Sequence, residues 1–314
     1  MKLHLVDATY ELFRAYHAPR PPVRGRNGRN LAGVAGLAEQ LLFLLREEGA
    51  THVGCATDHV IRSFRNDLYP GYKTEAGVPD DLLAQFPIAE QAIEALGLVC
   101  WPMVEHEADD AIATAAARWR DHPDVEQILI ATPDKDLAQC VADGRVVLWD
   151  RRRGILYDAD GVREKWGVPP TSMADYLALV GDASDGYPGL PGWGARSAAT
   201  ILARYGTLEA VPVEAADWDV AIRGAAALAT TLRERWGEAL LYRDLARLRT
   251  DVALPQREPA ELAWHGADRA SWTALCDELG LTRLRDRPHR WRTGDERTAG
   301  PPGGERTAGS PGGA

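Results

Sequence analysis

A chain of 314 residues, 45% hydrophobic and 26% charged, has the composition of an ordinary soluble globular protein of one large domain or two smaller ones. No apolar run is long enough to cross a bilayer, so a membrane partner is excluded, and MKLHLVDATYELF meets an acid too early for a secretory signal peptide. The net charge of -10 weighs against a nucleic-acid partner, unless much of the acid belongs to a cation cage.

In chain order, apolar strand runs are expected at 2–6, 52–56, 98–102, 127–132 and 145–149, and helices at 31–48, 82–96 and 108–120. That alternation predicts an α/β domain with a parallel sheet covered by helices, whose ligands gather at the carboxyl ends of the strands. Asp7 and Asp58 stand where two strands end, and Asp134 and Asp136 follow a third in TPDKDL. Four acids from three distant segments should therefore share one edge of the sheet. HEADDA adds Glu107, Asp109 and Asp110 at the start of a helix, with Glu107 and Asp110 on one face; an acidic first turn complementing the helix dipole is the plainer alternative for this motif alone. GDASDG adds Asp182 and Asp185, which alone would read as a turn. Together the nine acids cannot all ionise without a counter-charge, and an all-oxygen set favours Mg²⁺ or Mn²⁺, two ions or more, over zinc.

From about residue 171 the strand pattern stops and short helices with Gly and Pro punctuation begin, which reads as a second, helical domain over 171–290. Residues 291–314 repeat ERTAG, offer no apolar face and are expected to be disordered. Within the helical part, PGLPGWGARSAATIL fits a helix–hairpin–helix: Gly189, Gly192, Trp193 and Gly194 form the turn, and Arg196 and Ser197 open the next helix. Such a hairpin presents backbone N–H groups to DNA phosphates. Basic residues cluster at Arg20, Arg24, Arg26 and Arg29, at Arg62, Arg65 and Lys73, and at Arg151, Arg152 and Arg153. Each run alone is equally well a solvated loop. Cys55, Cys100, Cys140 and Cys276 show no CxxC pairing and read as reduced thiols of a cytoplasmic protein.

LVDATYELFRAYHA, SFRNDLYPGYK, EADDAIA, TPDKDLAQ and GDASDGYPGLPGWGARSAATIL together resemble the bacterial and phage 5′-nucleases, the 5′→3′ exonuclease domain of DNA polymerase I and the flap endonucleases. The resemblance implies a PIN-like nuclease domain, 1–170, joined to a helix-three-turn-helix DNA clamp. It implies Asp7, Asp58, Glu107, Asp109 and Asp110 as a first metal cluster and Asp134, Asp136, Asp182 and Asp185 as a second. It also implies Lys73, Tyr72 and Arg65 as catalytic residues of a basic arch, and a potassium ion at the hairpin. Relatives carry a further arginine three residues after the lysine, where this chain has Ala76. The expected activity is cleavage of DNA at 5′ ends and 5′ flaps by a stand-alone monomeric enzyme without an organic cofactor. The rival readings are a catalytically weak DNA-binding relative and a PIN-type ribonuclease.

Overall fold

The computed structural model describes residues 1–293 apart from Arg20, Pro22 and Asn27; Arg20 of the first basic run and residues 294–314 of the repeat-bearing tail lie outside them. The chain runs β1 (Lys2–Asp7), α1 (Ala8–Tyr16), α2 (Ala32–Arg46), β2 (His52–Asp58), α3 (Arg65–Leu68), α4 (Asp80–Leu83), α5 (Phe86–Ala95), β3 (Val99–Met103), α6 (Ala108–Trp119), β4 (Gln127–Ala131), β5 (Val146–Asp150) and β6 (Ile155–Tyr157). Helices then take over: α7 (Ala159–Trp166), α8 (Met173–Val180), α9 (Ala195–Tyr205), α10 (Ala225–Glu234), α11 (Trp236–Ala246) and α12 (Arg269–Leu279).

The sheet has the order β3-β2-β1-β4-β5-β6, parallel throughout except for β6, which turns back antiparallel on β5. β1, β2 and β4 are apolar on both faces because helices cover both, as a parallel sheet requires. The connection from β3 returns across the sheet to place β4 beside β1, so a crevice opens at the carboxyl ends of β1 and β4. Asp7 closes β1 and Asp58 closes β2, both at that edge.

Two local features depart from expectation. The helix expected over 82–96 is broken into α4 and α5. Pro87 lacks an N–H and fits only the first turn of a helix, so a new helix starts there. The β5–β6 hairpin was not expected, since ILY is three residues long with Ile155 and Leu156 exposed and carries no alternation to read.

The core divides across the sheet. Leu3, Leu5, Ile128 and Ile130 face α6 and, beyond it, the helices α8 to α11. Val6, Val53 and Cys55 face α1, α2 and α5. The last described stretch, counted with the helical domain and the tail by sequence, packs instead on this second face. Trp264 N–H donates to Thr51 O at 2.7 Å, its indole Nε1 donates to Leu96 O at 2.8 Å, and Asp268 N–H donates to Ala95 O at 3.0 Å. Trp272 and Cys276 are buried there. Trp291 lies under Arg269, and Arg292 N–H donates to Ala267 O at 2.9 Å, so the ordered chain continues past 290. The cause is apolar area: Trp264, Trp272 and Leu284 need a partner, and the face of α1, α2 and α5 needs a cover. All four cysteines are free. No helix among the described residues is long and apolar enough to cross a membrane.

Trp264→Ala should lower stability by about 3–5 kcal/mol, through a cavity and an orphaned carbonyl, measured by denaturant unfolding. A loss near zero would mean that the returning segment does not hold the second core.

Candidate metal centre and nucleic-acid interface

Asp7 and Asp58 are buried at the strand ends and held by backbone and hydroxyl donors. Asp7 caps α1, accepting from Tyr10 N–H at 2.8 Å and from the Thr132 hydroxyl at 3.3 Å. Asp58 accepts from Ala108 N–H at 2.7 Å, which ties the end of β2 to the start of α6. Burial, with Asp58 and Asp134 nearby, pushes the Asp7 carboxyl up to about 7. Burial pushes Asp58 up to about 6, and the nearby Glu107 adds to the rise. Asp109 projects from the first turn of α6 toward Asp134 and Asp7, and burial with those two charges raises it well above the usual carboxylate range. Asp134 stands at the mouth of β4, its Oδ1 accepting from Asp136 N–H at 2.9 Å.

Glu107 caps α6 and behaves differently. Burial alone would raise its carboxyl, but the Lys73 ammonium at 2.8 Å and the Arg65 guanidinium at 3.1 Å outweigh that and hold it at about 2. The Ser63 hydroxyl donates to it at 2.6 Å and the Tyr72 hydroxyl at 3.3 Å.

A second group gathers below. Asp136, Asp182 and Asp185 each offer an oxygen within 4.8 Å of the others. Lys73 reaches Asp185 at 3.1 Å, and Lys135 bonds Asp182 and stands 3.5 Å from Asp136. Two ammonium groups thus serve as counter-charges within the crevice. They do not suffice: Asp136 Oδ1 is buried without a hydrogen-bond donor, and burial and neighbouring acids still raise Asp136 and Asp185. A buried, oxygen-only donor set with surplus negative charge fits hard divalent cations.

Three expected residues take other positions. Asp110 is fully buried, and each oxygen is filled by two donors: Oδ2 accepts from Arg65 Nη1 at 2.7 Å and Glu107 N–H at 3.0 Å, Oδ1 from Arg65 Nη2 at 2.8 Å and Arg249 N–H at 2.9 Å. It has no lone pair to offer a cation. Arg65 is not an exposed arch residue but a buried one, and its remaining N–H groups go to Leu245 O and Arg247 O. Tyr72 is buried behind Glu107 as well. Of the stretch between α3 and α4, only Lys73 brings a cation to the crevice, and Ala76 is exposed beyond it.

The loop that carries Asp182 and Asp185 runs on into the hairpin. Gly186 has φ +85°, and a Cβ there would fall 2.3 Å from Gly71 O, so only glycine lets this loop meet the Lys73 segment. Gly189 packs equally tightly on Gly181 and faces the protein. Trp193 is also a core residue, buried 6.2 Å from Trp218, rather than a surface contact. Gly192, Gly194 and Arg196 are exposed at the start of α9, where the Ser197 hydroxyl accepts from Gly194 N–H at 3.0 Å. Sequence reasoning missed Ser63, Thr132 and Arg249, which orient the acids, and Tyr187, whose buried hydroxyl near Asp136 and Asp185 has no partner. Isolated hydroxyls carry no spacing signal.

The raised acids give a pH dependence with a definite sign. A carboxyl held above its unfolded value binds its proton more tightly when folded, so its contribution to stability is full below about pH 4 and is lost as pH rises through 6 to 7. Glu107, held at about 2, keeps its contribution throughout that window. The metal-free protein should therefore melt at a lower temperature at about pH 8 than at about pH 5, and divalent metal should reverse the loss at the higher pH. Melting curves in EDTA and in Mg²⁺ or Mn²⁺ decide this, and curves that ignore both pH and metal would contradict it.

Residues 2–167 match the 5'-3' exonuclease N-terminal resolvase-like domain, and residues 168–270 the 5'-3' exonuclease C-terminal SAM fold. DNA polymerase I of Rhizobium leguminosarum is 36% identical over 80% of this chain and 25% of its own, and that of Mycobacterium tuberculosis 35% identical over 91% and 31%. DNA polymerase I of Thermus aquaticus is 32% identical over 88% and 33%. The chain thus spans a quarter to a third of the length of these curated relatives. Among solved structures, a bacteriophage T5 flap endonuclease with DNA and metal ions superposes with a TM-score of 0.59 at 16% identity, covering 91% of this chain and 98% of that one. The catalytic core of Rad2 with DNA substrate gives 0.59 at 15% identity, covering 91% and 90%. With both domain families matched along the chain and the acids of each gathered in one crevice, the protein belongs to the 5'-3' exonuclease family.

Proposed function

We propose that this chain is a divalent-metal-dependent, structure-specific nuclease that cuts DNA at 5′ ends and at the base of 5′ flaps, leaving a 5′-phosphate. The observation that carries the reading is the continuity of acid crevice and hairpin. One loop delivers Asp182 and Asp185 to Asp136 and then, through Gly192 and Gly194, opens α9 toward solvent. A duplex held by its backbone at α9 would therefore lie beside the acids. The DNA named with the T5 and Rad2 structures agrees with that partner.

Asp7, Asp58 and Asp109 would hold one cation, and Asp136, Asp182 and Asp185 a second. Asp134, which the resemblance grouped with the second cluster, would join the first, because its charge bears on Asp7 and Asp109. Glu107, its oxygens taken by Ser63, Arg65, Tyr72 and Lys73, would position Lys73 instead. When bound, Mg²⁺ or Mn²⁺ supplies positive charge to the scissile phosphate and lowers the pKa of a water. The burial that raises Asp7 and Asp109 also excludes bulk water and strengthens each of these attractions. Lys73 stands between the two groups of acids, so its ammonium is placed to meet a non-bridging phosphate oxygen as charge develops there. Arg65 and Asp110 act as positioning residues, fixing the backbone of Glu107 and the segment after α11.

Asp134→Asn can still accept from Asp136 N–H but loses the charge, and it should abolish cleavage of a labelled flap while leaving binding in place. Lys73→Ala should slow single-turnover cleavage on the order of 10²-fold or more with little change in affinity. Arginine at 73 should rescue poorly, since a planar fork does not replace a compact ammonium. Wild-type rates for Asp134→Asn in Mg²⁺ would overturn the metal assignment, and an affinity loss matching the rate loss in Lys73→Ala would overturn its role.

The hairpin is best tested at Gly194. At Gly192 φ is +83°, so any side chain there strains the backbone whether or not DNA is present. Gly194 has φ -134°, and no atom lies within 4 Å of an added Cβ. Gly194→Ala should therefore keep most of its stability yet weaken duplex binding equally on unrelated sequences, because phosphate contacts carry no base information. Titration of several duplexes would detect this, and a sequence-selective loss would argue against backbone recognition.

A further inference from the structure

Tyr10 and Thr132, which both bond Asp7, also line a cavity of about 240 Å³ at the exits of β4 and β5. Arg14, Phe43, Trp149, Arg151 and Arg152 bring chemistry to its walls. The Arg151 side chain is 6% exposed. Its Nε donates to Glu48 Oε2 at 3.1 Å and its Nη2 to Gln40 O at 3.1 Å. Its Nη1 has no hydrogen-bond acceptor, and its ion partner Glu11 Oε1 stands 3.8 Å off, out of bonding reach. A buried guanidinium nitrogen is thus left with its N–H groups unsatisfied in the wall of a cavity.

The charges around it do not cancel. Asp150 is occupied by its own hairpin, accepting from the Arg153 N–H and from Arg153 Nη1, each at 3.1 Å. Glu11 and Glu48 are then the carboxylates that face Arg14, Arg151 and Arg152, which leaves one positive charge in excess. Arg152 is exposed and has no ion pair or hydrogen bond among the described residues. A single surplus charge beside bare N–H donors suits a monoanion with several oxygens, which is what a phosphodiester is. Apolar ring surface completes the set: Phe43 is 47% exposed and Trp149 half-buried, an arrangement on which a nucleobase can stack. The space admits one nucleotide unit and excludes a duplex.

We infer that this cavity is a subsite for one unpaired nucleotide of the DNA, its phosphodiester on Arg151 and Arg152 and its base against Phe43 and Trp149. The inference rests on the nuclease reading above and adds a hold on the strand next to the scissile phosphate, since only Thr132 and the first turns of α1 separate cavity and acids. It also supplies a positive charge outside the Lys73 segment, where Ala76 brings none.

The test uses Arg152→Glu and Phe43→Ala, both at exposed side chains, and Arg151→Lys, which keeps the charge and loses the fork. Binding of a fluorescein-labelled duplex with a 5′ single-stranded flap is compared with binding of the same duplex without a flap, in Ca²⁺. Each variant should lose about 5-fold or more on the flapped DNA and nothing on the plain duplex. Melting temperatures identify any variant that is merely unfolded, and the two exposed variants carry the test if Arg151→Lys is. Flap binding equal to wild type in both exposed variants, or equal losses on both DNAs, would overturn the subsite. Competition by thymidine monophosphate that disappears in Arg152→Glu would show that a free nucleotide takes the same place. A wild-type protein that binds the flap through these residues yet cleaves nothing in Mn²⁺ would defeat the nuclease reading and leave the subsite standing.

Discussion

Crowding of buried like charges is the constraint around which this molecule is arranged. Carboxylates from five separate stretches of chain meet at one edge of the sheet, in surroundings that penalise the ionised forms of Asp7, Asp109 and Asp136. A fold can tolerate that only if each acid has a fixed donor, a cation, or its proton. The structure uses all three. Backbone N–H groups at the starts of α1 and α6 hold Asp7 and Asp58, and side-chain donors hold Glu107. The ammonium groups of Lys73 and Lys135 compensate part of the charge, and Asp109 and Asp136 still hold their protons unusually tightly. The residual imbalance is the driving force for metal uptake. A site whose charges were already balanced would have little affinity for a divalent ion.

The same crevice explains how the two parts of the molecule are joined. Asp110 and Arg65 form a buried pair that fixes Glu107 on one side and accepts or supplies bonds to Leu245, Arg247 and Arg249 on the other. Buried ion pairs add little net stability, because desolvation offsets the attraction. What such a pair does provide is geometry, since breaking it would strand a charge. The helical part is therefore registered against the acids through the side chains that look most like metal ligands and phosphate grips in the sequence.

That is also where the sequence was hardest to read. The parallel strands were visible as apolar runs, and their carboxyl ends located Asp7, Asp58 and Asp134 without further information. EADD could not reveal that its two aspartates have opposite fates. The helical turn sends Asp109 toward Asp134, and Asp110 toward an arginine forty-five residues upstream. Nor could PGWG show that the tryptophan points inward and the glycines outward, because both arrangements satisfy the same pattern. Spacing specifies which face of a helix a residue occupies, and only the packing of distant segments decides what that face meets. The split at Pro87 was legible in principle, from the missing N–H alone.

The returning segment carries a consequence for how the chain is made. The face formed by α1, α2 and α5 is finished by Trp264, Trp272 and Leu284, residues that leave the ribosome after α7 to α11. Domains commonly fold in the order in which they are synthesised. Here the first half emerges with an apolar face that its own residues cannot close, and the chain must be made as far as Leu284 before that face is covered. Closure of the N-terminal sheet should therefore follow the synthesis of α7 to α11, and the interval in which that face lies bare is when a chaperone would find it.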